Sequence, residues 1–252
     1  MRTKIGKLLN NGRRRSQETP EEGESYFMSM TDMMVGLLLI FIILLAYFAL
    51  NLQSKTEELT GANRTRAEIL NDLQQSLKDK GLQVEIDTKT GVLRLPDDVL
   101  FDKGRWELSD RGQAAISKVA SAMVEVLPCY TTSNLCKEER SKHLIDAVFV
   151  EGHTDSDAMY GGMNNYGLSV RRAETTFTML QFNQPALRGF LNKPAGQPGS
   201  APILGLSGYG PDRPIAQGDS EAAKKRNRRI DLRFLMTTPS AGLDKDILRQ
   251  ER

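Results

Sequence analysis

The apolar residues of this chain fall into one unbroken block followed by a series of short periodic runs. The block, residues 33–50, reads MMVGLLLIFIILLAYFAL, eighteen positions without a charge. With a rise of about 1.5 Å per residue and a hydrocarbon core about 30 Å thick, a helix from near Tyr26 to Leu50 crosses a bilayer. The block is longer than the apolar stretch of a secretory signal and closes on no small-residue cleavage pattern, so the expectation is a retained transmembrane helix over residues 25–52. Asp32 stands at its head. If Phe27, Met28 and Met30 belong to the span, this carboxylate lies inside it. There an ionised acid costs about 2.5–3.5 kcal/mol and needs a partner or a wet crevice. If the span begins at Met33, Asp32 sits at headgroup level and helps to start the helix.

Past the block the pattern turns polar, with Ile69, Leu70, Leu73 and Leu77 at helical spacing. This predicts an amphipathic helix or short coiled segment, a stalk over residues 53–81. From Leu82 the period changes to two. Val84-Glu85-Ile86-Asp87, a turn ending at Gly91 and Val92-Leu93-Arg94-Leu95 alternate as a hairpin does. A helix follows over 109–127 with Ser109 and Asp110 suited to cap it, then a buried strand over 145–150 that runs into Glu151-Gly152-His153-Thr154-Asp155. A second helix spans 166–187. A Pro/Gly-rich surface excursion covers 189–202, and strands at 203–206 and 230–235 flank a short helix near 220–225. This order implies an α/β fold, an α+β sandwich with helices on one face of a mixed sheet, over residues 82–238. Residues 1–24 and 239–252 read as tails.

Charge adds orientation. The net charge of +2 excludes little, but Arg2, Lys4, Lys7, Arg13, Arg14 and Arg15 all precede the span. The positive-inside rule then places the N-terminus in the cytoplasm, against membrane lipid, and in a bacterium sends the domain to the periplasm from the inner membrane. Six cations without interleaved aromatics beside a span give no reason to expect direct nucleic-acid binding. Cys129 and Cys136 are the only cysteines. In an exported domain they favour a disulfide, and with only His143 and His153 elsewhere they make a poor zinc site. No nucleophile elbow, phosphate loop or metal-ligand cluster is present in the sequence, so neither enzyme activity nor a cofactor or metal is expected. His153 is expected to pack or hydrogen-bond at a strand end.

Three separated motifs carry a resemblance. Gly152-His153-Thr154-Asp155, Asn165-x-x-Leu168-Ser169-x-x-Arg172-Ala173 and Asn227-Arg228-Arg229-Ile230-Asp231, with Leu100-Phe101-Asp102 and Gly208-Tyr209-Gly210, resemble the peptidoglycan-binding domain shared by OmpA, Pal and MotB. The resemblance covers about residues 82–236 and implies an OmpA-like fold. It also implies that Asp155 and Arg172 clamp the diaminopimelate of a peptide stem, with Asn165 and Leu168 as further peptidoglycan-binding positions. The pairing suits the chemistry, since a zwitterion needs an acceptor for its ammonium and a fork of donors for its carboxylate. Taken singly, Asp155 could cap a turn and Arg172 could be an exposed helix charge. One departure is that Asn164 precedes Asn165 where the family often has Tyr.

The N-terminal half is similar to the B subunits of ion-driven stators, in which Thr-Asp-Met-Met opens a single span ahead of an OmpA-like domain. The Ser-Met-Thr-Asp-Met-Met-Val-Gly-Leu-Leu run and the rapid passage from span to stalk resemble the ZorB branch, from the Zorya anti-phage system, more closely than the flagellar branch. This resemblance implies a homodimer inside a pentamer of a MotA-like membrane subunit, with Asp32 carrying a proton or sodium ion. A flagellar stator subunit and a passive wall tether are the alternatives.

Overall fold

The computed structural model describes residues 21–157 and 163–237. The tails expected at 1–24 and 239–252 lie outside them, apart from residues 21–24, which already belong to a helix. The chain divides into two compact units, Met1–Ser54 and Lys55–Arg252.

Helix α1 runs unbroken from Glu21 to Asp79. In the first unit its apolar window has a mean hydropathy of 2.9 and none of it is buried by the chain. A helix this long and apolar is able to cross a membrane, where lipid covers the side chains and every backbone hydrogen bond stays within the helix. Asp32 lies on this helix just after Met30.

In the second unit α1 departs from the expectation of a stalk. Ile69, Leu70, Leu73 and Leu77 are fully buried in the same core as the sheet. Polar bonds fix the helix there: Arg66 donates to the Lys89 carbonyl, Gln74 to that of Val84, and Lys80 pairs with Glu125 at 2.7 Å. The domain therefore begins well before Leu82. An amphipathic stripe states that one face is covered, not whether a second helix or the chain's own sheet covers it.

Strands β1 (Glu85–Asp87) and β2 (Val92–Pro96) form the expected hairpin. Asp87 Oδ1 accepts the amides of Lys89 and Thr90, and Gly91 closes the turn at φ 76°, where a Cβ would be strained. After the short α2 (Asp97–Leu100) come α3 (Asp110–Val126), β3 (Ile145–His153), α4 (Asn165–Asn183), β4 (Leu204–Gly208), α5 (Glu221–Asn227) and β5 (Arg229–Met236). Ser109, Asn164 and Ser220 each cap the following helix through a side-chain oxygen. Helix α4 stops at Asn183, short of 187, because Pro185 disfavours helical backbone at Gln184. The sheet order is β1-β2-β5-β3-β4, with β3 and β4 parallel and the other pairs antiparallel.

The mixed sheet buries Leu93, Leu95, Val148, Val150, Ile230, Leu232 and Phe234 under its helices, the α/β layering that the strand and helix order implied. The excursion after α4 is anchored by buried Phe190 and by Thr132, whose hydroxyl donates to the Leu191 carbonyl. Thr132 lies in the loop between Cys129 and Cys136, which are disulfide-bonded with S–S 2.05 Å.

If α1 is part of the core, Leu73→Ala in the full chain should lower domain stability by about 2–5 kcal/mol, read from denaturant unfolding in detergent. A change below about 0.5 kcal/mol, typical of exposed positions, would restore the stalk reading.

Candidate functional site

Helix α4 meets the sheet at two glycines. A Cβ on Gly152 would stand 2.0 Å from the Ser169 carbonyl oxygen, and one on Gly208 would stand 2.5 Å from the Val170 nitrogen. Ser169 then joins three motifs, its hydroxyl donating to the Tyr166 carbonyl and accepting from the Gly210 amide. This contact sets the end of β3, where the chain leaves as Thr154-Asp155, beside the first turn of α4.

Asp155 accepts the Asp157 amide on Oδ1 and the Arg228 guanidinium on Oδ2. Asn165 donates its Nδ2 to the carbonyls of Asp155 at 3.3 Å and Asp157 at 2.8 Å, while Lys224 of α5 pairs with Asp157 at 2.6 Å. Asn165 thus holds the loop that presents Asp155. Two turns along α4, Arg172 is 2% exposed. Its Nε donates to the Arg105 carbonyl at 2.8 Å, its guanidinium lies 5.1 Å from the Phe101 ring centre, and Nη1 approaches Asp97 Oδ1 at 2.9 Å. That last approach is an ion pair without hydrogen-bond alignment, since Asp97 Oδ1 has no hydrogen-bond partner among the described residues.

Asp155 and Arg172 are therefore neighbours, each with its own counter-charge, rather than a direct pair. Asp155 is matched by Arg228 and Arg172 by Asp97. Arg172 is neither an exposed helix charge nor presented openly to a ligand. Leu168, placed among the binding positions, is only 4% exposed, which fits it for seating α4 rather than for meeting a ligand. Asp97 and Arg228 are the members that sequence reasoning missed. Arg228 lay in a recognised motif without a role, whereas Asp97 follows Pro96 with no motif to mark it.

Burial pushes the Asp97 carboxyl up to about 6, against the pull of Arg172 and Arg228, and burial likewise lowers the pKa of Arg172. Burial also works against the charge of Arg228, but its hydrogen bond to Asp155 and the nearby acids hold its pKa above the usual range. Asp97, Asp155, Arg172 and Arg228 act as one balanced set of two acids and two bases.

A second charged cluster occupies the sheet face opposite the helices. Arg233 grips both oxygens of Glu151 at 2.8 Å, and Arg229 Nε bonds Asp231 Oδ2 at 3.0 Å. His153 Nε2 stands 3.5 Å from Asp231 and 3.9 Å from Glu151, and its ring stacks on Tyr209 with centres 5.5 Å apart. Neither His153 nitrogen meets hydrogen-bond geometry among the described residues, so the ring packs on Tyr209 and acts on the two carboxylates through its proximity alone. Glu151, His153 and Asp231 are spaced to hold a metal ion, but Arg229, Arg233 and Arg94 already balance both carboxylates, and a cation does not fit. Burial alone would raise Glu151, yet neighbouring His153 and the Arg233 fork draw it down to about 2. In the same motif as Arg229, Asn227 pins residues 215–216 through the amides of Ile215 and Ala216.

No protein-family model matches the chain. It is 24% identical to Motility protein B of Bacillus subtilis over 173 residues, 66% of this chain, and spans about half (55%) of that relative's length. Among solved structures, it is similar to a MotB-like protein from Desulfovibrio vulgaris, with TM-score 0.48 and 18% identity over 70% of this chain and 96% of that one. The cell wall anchor of the T6SS from Pseudomonas aeruginosa gives 0.44 and 20% over 66% and 96%. The periplasmic domain of Helicobacter pylori MotB (residues 78–256) gives 0.42 and 22% over 64% and 85%.

The Asp97 shift predicts a pH dependence. Its folded pKa of about 6 exceeds the 3.8 of an ordinary aspartate, so its contribution to stability is present in full below about pH 4 and is lost as pH rises through 6. The isosteric Asp97→Asn removes this titration. Between pH 4 and 6.5 the wild type should lose stability relative to the variant, by on the order of 3 kcal/mol at most. Parallel unfolding curves for the two proteins across that window would contradict the assignment. Glu151 acts in the opposite sense, its stabilisation fading as pH falls from about 4.5 towards 2, and it does so equally in both proteins.

Proposed function

We propose that this chain is a wall-anchoring, ion-carrying subunit of a stator-type membrane motor. One observation carries the reading: a single chain combines an acid on an unburied apolar helix with a folded domain in which Arg228, part-exposed, covers the nearly buried Asp155, backed by Asp97 and Arg172. The domain grips peptidoglycan from the periplasmic side, and the N-terminus lies in the cytoplasm.

The wall ligand is zwitterionic, and so is the site. The ammonium of diaminopimelate takes the place of Arg228 on Asp155, and its carboxylate takes the freed guanidinium fork. One ion pair is exchanged for two, and no net charge is buried. Arg172 holds Asp97 and residues 97–105 behind this exchange. In the membrane, protonation of Asp32 removes a charge that lipid disfavours, so each ion passage alternates the helix between two electrostatic states. That alternation supplies work only if the wall holds the domain still.

In this reading the chain forms a homodimer within a pentamer of a MotA-like subunit, and the motor serves anti-phage defence of the Zorya type. The sequence around Asp32 favours that setting, while the similarity to Motility protein B favours a flagellar one. A passive tether has no use for Asp32.

Asp32→Asn should abolish motor-dependent function in cells while leaving membrane insertion and sacculus binding intact. Asp155→Ala or Arg228→Ala in the full chain should weaken co-sedimentation with diaminopimelate-containing sacculi by about 2–5 kcal/mol, the usual cost of breaking a hydrogen-bonded charge pair. Full activity of Asp32→Asn would remove the ion-carrying role, and unchanged pelleting of both domain variants would remove the wall role. Phage survival and swimming, measured side by side for Asp32→Asn, separate the defence setting from the flagellar one.

A further inference from the structure

Next to the Asp155 loop an aromatic ring stands exposed and is held in place. Tyr166 is 48% exposed, yet its hydroxyl lies 3.0 Å from both carboxylate oxygens of Asp212, to which it donates. Its ring rests against Gly210, where a Cβ would come within 2.9 Å of Cδ1 and where φ of 55° favours glycine in any case. Both supports lead back to the site. Asn165, the preceding residue, bonds the carbonyls of Asp155 and Asp157, and the Gly210 carbonyl accepts the Thr154 amide at 3.0 Å.

Leaving an aromatic ring in water forgoes its burial energy. Here the hydroxyl is engaged with the protein, so the ring itself is what Tyr166 offers outward, and the neighbouring surface continues apolar through exposed Val170 one turn along α4. Asp212 sets an acceptor-only carboxylate beside it. A rigid ring edged by an acceptor suits a neutral, hydroxyl-bearing ring, whose axial C–H groups lie on the aromatic face while a hydroxyl donates to the carboxylate. A phosphate or a second carboxylate would be repelled.

We propose that Tyr166, with Asp212, is a stacking platform for a pyranose of the glycan strand whose peptide stem the Asp155 site holds. This inference rests on the wall-binding reading above. It makes the site bipartite, with charge selecting the peptide and the platform selecting attached sugar.

The test uses the full chain in detergent and two probes: a diaminopimelate-containing tetrapeptide, and the same peptide carrying its N-acetylglucosaminyl-N-acetylmuramyl disaccharide. Wild type should bind the disaccharide-peptide about tenfold more tightly, in the range of one aromatic stacking contact. Tyr166→Ala should bring that ligand down to the affinity of the free peptide, and Tyr166→Phe, which keeps the ring, should retain most of the difference. Asp155→Asn should weaken both probes together. A wild-type ratio near one, or a ratio that persists in Tyr166→Ala, overturns the platform while leaving the peptide site standing. Unchanged binding of both probes by Asp155→Asn overturns the wall-binding reading on which the platform rests.

Discussion

The site is organised by how near α4 lies to the sheet. With the Ser169 carbonyl only 2.0 Å from where a Gly152 side chain would begin, any substituent there displaces the helix. Asn165, Ser169 and Arg172 would move with it, because they lie on one rigid element. The glycines of Gly152-His153-Thr154-Asp155 and Gly208-Tyr209-Gly210 are therefore positioning residues for side chains on another part of the chain. Packed interiors respond to a misfit of one carbon by shifting whole elements, so these glycines fix the separation between the Asp155 loop and the guanidinium of Arg172.

Charge is buried on both sides of the sheet. Arg172, Asp97, Arg229, Asp231 and Glu151 are all nearly inaccessible, and a lone ion in such a place would neutralise or unfold its surroundings. Each is instead one of a set. On the sheet face away from the helices the cross-strand neighbours Glu151 and Asp231 are like charges that would repel, and the guanidinium groups of Arg233 and Arg229 engage them from flanking positions. Near α4 the balance is less complete. Asp97 has a close but poorly aligned partner, and burial raises its pKa further than Arg172 and Arg228 draw it down.

Much of this was legible in the sequence, and the gaps have physical reasons. The hairpin, the capped α3 and the mixed sheet followed from periodicity and from Ser109 and Gly91, because local rules fix them. The burial of Leu73 and Leu77 was visible as a stripe, but its partner was not, since the core that covers it is assembled from helices and strands along the whole domain. At the site Asp155 and Arg172 were found by motif, yet their partners Arg228 and Asp97 depend on which elements meet in three dimensions. Leu168 shows the converse difficulty: a motif position can mark packing as readily as contact.

Charge sets that satisfy themselves have a consequence for binding. An open cation waiting for a ligand would collect any anion of sufficient charge, and its affinity would fall steeply with salt. Asp155 and Arg228 already hold one another, so a simple anion gains the guanidinium only by leaving Asp155 unmatched, and a simple cation meets the mirror-image penalty. A ligand carrying both charges at the right separation pays neither. Selectivity then comes from the cost imposed on incomplete ligands more than from the strength of any single contact. Arg172 and Asp97 serve this arrangement from behind, because a second fixed pair keeps the local field near neutral whichever way the front pair is engaged.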